Sequence, residues 1–160
     1  MFSFDVVSKI DMAEVKNAVN MAQKEIITRF DLKGSSADIK FQEEELILIA
    51  DDEFKLRAVK EILEQKLIKR GVSLKNLVYA PLEHAFSGNV RQKVTLQQGI
   101  PTEKAKEMVK SVKKSGIKVQ VAIQSDQLRV SGKDKDDLQA TIKLLKDEFK
   151  DINLQFTNYR

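Results

Sequence analysis

The 160 residues include no cysteine, so neither disulfides nor thiolate metal sites are available. No stretch approaches the roughly 18 apolar residues that crossing a bilayer requires. The opening "MFSFDVVSKIDMAE" lacks a basic segment followed by a long apolar run, which predicts no secretory signal. The expectation is a cytoplasmic protein with no membrane association. Histidine occurs once, at His84 among Glu83, Ala85 and Phe86, where a structural or solvent role outweighs catalysis. No serine or threonine has a histidine partner placed by motif, and no ligand spacing suits a metal. The acidic runs "EEE" (43–45) and "DDE" (51–53) read as a hairpin turn and a helix start. The chain is therefore expected to have no catalytic residue, metal or cofactor, and not to be an enzyme.

What is present supports a real core: 42% of residues are hydrophobic and 32% charged. The length allows one ordinary domain or two small ones. The net charge of +4 is unevenly spread. Residues 1–88 hold 13 Lys/Arg against 15 Asp/Glu, a net of −2, whereas residues 89–160 hold 15 against 9, a net of +6. That asymmetry points to a polyanionic partner for the second half.

The chain repeats itself. "ADIKFQEEELILIADDEFKLRA" (37–58) aligns without gaps on "VQVAIQSDQLRVSGKDKDDLQA" (119–140). Ile39 and Phe41 fall on Val121 and Ile123, Leu46 and Leu48 on Leu128 and Val130, and Leu63 and Leu67 on Leu145 and Phe149. Each copy alternates as a strand, turns, alternates again and then takes a helical period. A strand and a helix precede each copy. "FSFDVV" leads to a helix opened by Asp11 with Glu14 three residues on, a capping-box spacing. Its apolar stripe is Met12, Val15, Val19, Ala22 and Ile26. "VRQKVTLQ" leads through Pro101 to a helix with Ala105, Met108, Val109 and Val112 inward and Gly116 as its stop. "VSLKNLVY" and "INLQFTNY" close the two halves as strands.

The order β-α-β-β-α-β, twice over, predicts an α+β protein of two ferredoxin-like domains. Each has a four-stranded antiparallel sheet with two helices on one face. The boundaries read as a domain over 1–79, a linker over 80–89 and a basic domain over 90–160, the linker holding a proline and a glycine. "FSFDVV" and "VRQKVTLQ" occupy equivalent places, so either can complete the other's sheet.

Alternation also lists the face of the second sheet turned away from its helices: Arg91, Lys93, Thr95, Lys118, Gln120, Gln124, Arg129, Ser131, Asn153 and Gln155. Four cations and several amides without an acid suit phosphates and hydrogen-bonding bases. The first sheet differs. "LILI" (46–49) is apolar on both faces and Val7 points away from the helices, so this sheet is expected to be covered, or to meet a protein partner. Phe2 and Phe4 share the core-facing register of Val6, which disfavours base stacking on the sheet.

Gly132-Lys133, between a strand and a helix, invites a phosphate-loop reading. No glycine stands five residues earlier, and Asp134 follows where Ser or Thr is needed. Asp134, Asp136 and Asp137 are expected to cap the helix, so the loop reads as a structural connection from which Lys133 at most reaches a ligand.

"FDVVSKIDMAEVKNAV", "LIKRGVSLKNL", "LQQGI" and "KSGIKVQVAIQSDQLRVSGKDKDDLQATIKLLK" together resemble the YajQ family of bacterial nucleotide-binding proteins, over the whole chain. The resemblance implies two ferredoxin-like domains and binding of nucleotides or nucleic acid, with some members cyclic di-GMP effectors that regulate transcription. It supplies no catalytic motif. The expected activity is binding of a nucleotide of the cyclic di-GMP or GTP class. Arg91, Lys93, Lys118 and Arg129 would hold phosphates, Gln120 and Gln124 would bond base or ribose, and Lys133 would stand nearby. RNA binding by the same face, or a protein-interaction role for the first sheet, are the alternatives.

Overall fold

A computed structural model of the chain describes residues 1–85 and 87–160. Phe86, counted in the expected linker, lies outside the described residues. The elements follow the expected order: β1 (Phe2–Val7), α1 (Met12–Thr28), β2 (Asp38–Gln42), β3 (Glu45–Ala50), α2 (Glu53–Lys69), β4 (Leu77–Tyr79), β5 (Glu83–His84), β6 (Val90–Leu96), α3 (Thr102–Ser115), β7 (Gln120–Gln124), β8 (Gln127–Gly132), α4 (Lys135–Glu148) and β9 (Gln155–Thr157).

Two antiparallel sheets form, and each has the opening strand that the other half of the chain supplies. One sheet runs β7-β8-β1-β9 and the other β2-β3-β6-β4, with the short β5 also on β6. Both are ferredoxin-like. The units are accordingly Met1–Lys9 with Gln98–Arg160, and Ile10–Gln97. The division differs from the one expected at 80–89. That segment carries β5, whose Glu83 and His84 pair with Arg91 and Val90 inside the unit 10–97. The chain instead passes between units at Lys9–Ile10 and Gln97–Gln98.

Cross-strand fit gives the physical reason. Phe2 lies opposite Gly132, and Phe4 opposite Val130. A Cβ on Gly132 would stand 3.1 Å from both the Leu138 and Val119 side chains, so the glycine lets strand, helix and neighbouring strand close up beside a bulky ring. Phe4 and Val6 are fully buried in a core with Met108, Leu128, Val130 and Leu145. In the other sheet Val94 and Val90 face Leu46 and Ala50. They share a core with Val15, Val19, Ile39, Leu48 and Leu63. By the repeat register, β1 in that sheet would set Phe4 where Gln92 lies, opposite Leu48, and Asp5 where Lys93 lies, opposite Ile47, leaving the carboxylate without Arg129.

The duplication extends to backbone detail. Phe41 pairs with Leu46 as Ile123 pairs with Leu128. The first residue of each tight turn, Glu43 and Ser125, has positive φ, 53° and 57°. Asp11 accepts hydrogen bonds from the amides of Ala13 and Glu14, capping α1, and Gly116 ends α3 in the left-handed conformation at φ 78°. Ile123 pairs with the buried Leu128 on the helix side of the sheet yet, at the β7 edge, remains 42% exposed.

Candidate functional site

The exchange divides the residues picked out by alternation. Arg91 and Lys93 lie on β6, opposite Ile49 and Ile47, in the unit 10–97. Lys118, Gln120, Gln124, Arg129 and Lys133 belong to the other unit. Charge is redistributed in the same way. The unit of residues 1–9 and 98–160 has 14 Lys/Arg against 10 Asp/Glu, so it carries +4; residues 10–97 have 14 of each and are neutral.

With β1 in place, the face of the β7-β8-β1-β9 sheet opposite its helices is not a basic platform. Gln120, Ala122 and Gln124 of β7 share it with Gln127, Arg129 and Ser131 of β8, Ser3, Asp5 and Val7 of β1, and Gln155 and Thr157 of β9. Asp5, an acid missing from the expected face, stands directly across from Arg129. Its carboxylate accepts from Arg129 Nε at 2.9 Å and Nη2 at 3.3 Å, and from Asn158 Nδ2 at 2.8 Å. The Asp5 side chain is 8% exposed and that of Arg129 39%. Hydrogen bonding from Arg129 is the first cause that holds the Asp5 carboxyl below its ordinary range. The charge of Arg129 is thus countered by its neighbour. Val7, expected on an apolar sheet face of the first domain, also lies here, 4% exposed.

Arg91 is likewise occupied, donating from Nε to Glu83 at 2.7 Å. Lys93 flanks the half-buried Ile47 on the face turned from α1 and α2. This is the sheet expected to be covered or to meet a partner. Ile47 and Ile49 do stand there, but with Lys40, Lys93 and Arg91 beside them.

Three of the expected residues come together at one end of the charged unit. Lys118, Gln120 and Lys133 line a cleft of about 490 Å³ with Ser131, Asp134 and Asp137. Lys118 precedes β7 and Lys133 follows β8, so the Gln120–Ser131 pairing brings them to the same sheet end. Neither lysine forms an ion pair among the described residues. The acids that line the cleft are not within bridging distance of either ammonium, leaving both able to meet an anion. Asp134 occupies the N-cap position of α4, yet its side chain makes no capping hydrogen bond, contrary to the expectation that it caps. Its equivalent Asp52 does cap α2 through the Lys55 amide at 2.8 Å. Gln124 is outside the cleft, at the hairpin end of β7, four residues or roughly 13 Å from Gln120 at strand spacing.

A second, apolar cleft of about 280 Å³ is lined by Phe2, Leu138 and Tyr159 with Lys135 and Arg160. Sequence reasoning missed it because Phe2 reads as core and Tyr159 as part of the closing strand, which in the structure ends at Thr157. Among the described residues no group of three or more His, Cys, Asp or Glu side chains is gathered to hold a metal, and no helix is long and apolar enough to cross a membrane. His84 lies 3.6 Å from Glu53 with its side chain 64% exposed.

The model of a family described as nucleotide-binding protein YajQ-like matches residues 2–160. The chain is 54% identical to a nucleotide-binding protein of Koribacter versatilis, over 99% of this chain and 96% of that protein. It is 53% identical to one of Carboxydothermus hydrogenoformans, over 99% and 98%. A nucleotide-binding protein of Desulforamulus reducens is 55% identical over 99% and 96%. A match of this extent, on two ferredoxin-like units and with the motifs already read from the sequence, places the chain in the YajQ-like family.

Proposed function

We propose that this chain is a non-enzymatic nucleotide-binding protein that holds the phosphates of its ligand in the cleft of Lys118 and Lys133. The observation that carries this reading is the contrast among the cations. Arg129 and Arg91 are consumed by Asp5 and Glu83, whereas the two lysines share a cleft without an ion pair. An ammonium in a concave, water-accessible site is a good point charge for a phosphate. Gln120 and Ser131 offer hydrogen bonds beside it. The relatives' shared description as nucleotide-binding proteins supports the same ligand class. The candidates are a purine nucleotide of the GTP class and cyclic di-GMP.

The test is a calorimetric titration of the full chain with cyclic di-GMP, GTP, ATP and a short RNA at two salt concentrations. Saturable binding of one small nucleotide with a shallow salt dependence is the expected result, because two lysines release few counterions. A steep salt dependence confined to RNA would replace the reading with RNA binding. Binding of none of the four would overturn it.

A further inference from the structure

We propose that the apolar cleft of Phe2, Leu138 and Tyr159 takes the purine base of a nucleotide whose phosphates lie at Lys118 and Lys133. This inference rests on the functional reading above and adds what the ligand's other end must be. The two clefts are built from neighbouring residues of the same segments. Asp134 and Asp137 line the lysine cleft, while Lys135 and Leu138 line the apolar one. Ser131 and Gly132 border the first, and Phe2 and Ser3, their partners across the sheet, border the second.

The apolar cleft has the chemistry of a base-stacking site. Tyr159 is 60% exposed, a large ring left open to solvent. Its ring lies 6.1 Å from that of Phe4, tilted by 37°, and Phe4 in turn makes an edge contact with Phe156 at 6.0 Å. The backbone next to it is fixed, since Ser3 and Arg160 exchange amide-to-carbonyl hydrogen bonds of 3.0 Å in both directions. A ring backed by the core on one side and open on the other stacks at reduced ordering cost. Lys135 Nζ sits 5.1 Å above the Phe2 ring, and Arg160 completes a cationic border. Aromatic faces edged by cations recur where proteins bind bases and backbone phosphates together. A purine is favoured because its two fused rings bury more stacking area than a pyrimidine.

The experiment compares GTP and ATP with tripolyphosphate, a probe with the phosphates but no base. Each is titrated into the full chain and its Tyr159→Ala and Tyr159→Phe variants. Tyr159 is largely exposed and its ring meets the core at Phe4, so circular dichroism checks that both variants keep the fold. The inference predicts that Tyr159→Ala weakens the purine nucleotide about tenfold or more, leaves tripolyphosphate unchanged, and that Tyr159→Phe restores nucleotide affinity. It is overturned if Tyr159→Ala leaves nucleotide affinity intact, or weakens nucleotide and tripolyphosphate alike. Tripolyphosphate binding as tightly as GTP and ATP to the wild-type chain would also overturn it, while sparing the phosphate site. Failure of every probe to bind would remove both readings.

Discussion

Cutting the chain tests the strand exchange. A fragment of residues 10–97 keeps α1, β2, β3, α2, β4 and β6, a complete unit with its own core. A fragment of residues 1–79, the shorter domain that the sequence pattern alone suggests, loses β6 and keeps β1 without β8 or β9. In the intact chain β6 stands between β3 and β4, so its loss leaves β4 unpaired and one edge of β3 open. It also removes Val90, Val94 and Leu96, which are 2%, 0% and 2% exposed. Burying a valine or leucine contributes about 1.5–3 kcal/mol, so the three together supply roughly 5–9 kcal/mol. That matches much of the roughly 5–15 kcal/mol by which a whole domain is stable. Substituting β1 does not repair the loss, because its Phe4 would stand where Gln92 lies, opposite Leu48, and its Asp5 would face Ile47 without Arg129 and Asn158. The 10–97 fragment is therefore expected to give a cooperative urea transition by circular dichroism and dispersed amide resonances. The 1–79 fragment is expected to give neither. A cooperative transition of the 1–79 fragment at the same urea midpoint as 10–97 would refute the reasoning, by showing that β1 replaces β6.

Gly99 and Gly116 offer a paired comparison, since both have positive φ, 82° and 78°. A Cβ at Gly99 would lie 2.6 Å from Asp126 Oδ2, whereas at Gly116 nothing lies within 4 Å. Gly116→Ala is expected to cost about 1–2 kcal/mol of backbone strain, and Gly99→Ala more, because Asp126 must also move; equal urea midpoints for the two variants would contradict this. On acidification, Asp51 titrates late: hydrogen bonds from the Ser36 hydroxyl and amide, then Lys55, lower its pKa from 3.8 to about 2. The unfolded chain binds the proton first, so this contribution is complete above about pH 4 and is lost as pH falls toward 2. A melting-temperature series from pH 7 to 2 is expected to steepen in that window, and less so in Asp51→Asn. An identical acid limb in the variant would remove the assignment.

Much of the architecture is legible in the sequence, because alternation and helical period are local signals. The gapless repeat from Ile39 to Leu67 onto Val121 to Phe149 even carries the cross-strand register. Which sheet each opening strand joins is not a local property. "FSFDVV" and "VRQKVTLQ" alternate alike, and the choice is made by what lies across the sheet: Gly132 opposite Phe2, and Arg129 opposite Asp5. The lone acid within an apolar strand was the available clue, since a carboxylate that enters a sheet centre needs a cation beside it. The candidate cleft was legible in part for the same reason. Gln120 and Lys133 lie within one repeat copy and Lys118 directly before it, and the structure brings the three to one cleft. Arg91 and Lys93 came from the strand that crosses to the other unit. Arg129 carried the right charge but has an internal partner, which no list of face residues reveals.

Which cations meet the nucleotide decides where the ligand sits. Nucleotide affinity should be measured calorimetrically in Lys118→Ala/Lys133→Ala and in Arg91→Ala/Lys93→Ala, with the wild-type chain beside them. Loss of two charge-assisted phosphate contacts predicts a fall of at least about tenfold in the first variant and unchanged affinity in the second. Unchanged affinity in the first with a loss in the second would move the site to the unit 10–97 and rule out the lysine cleft.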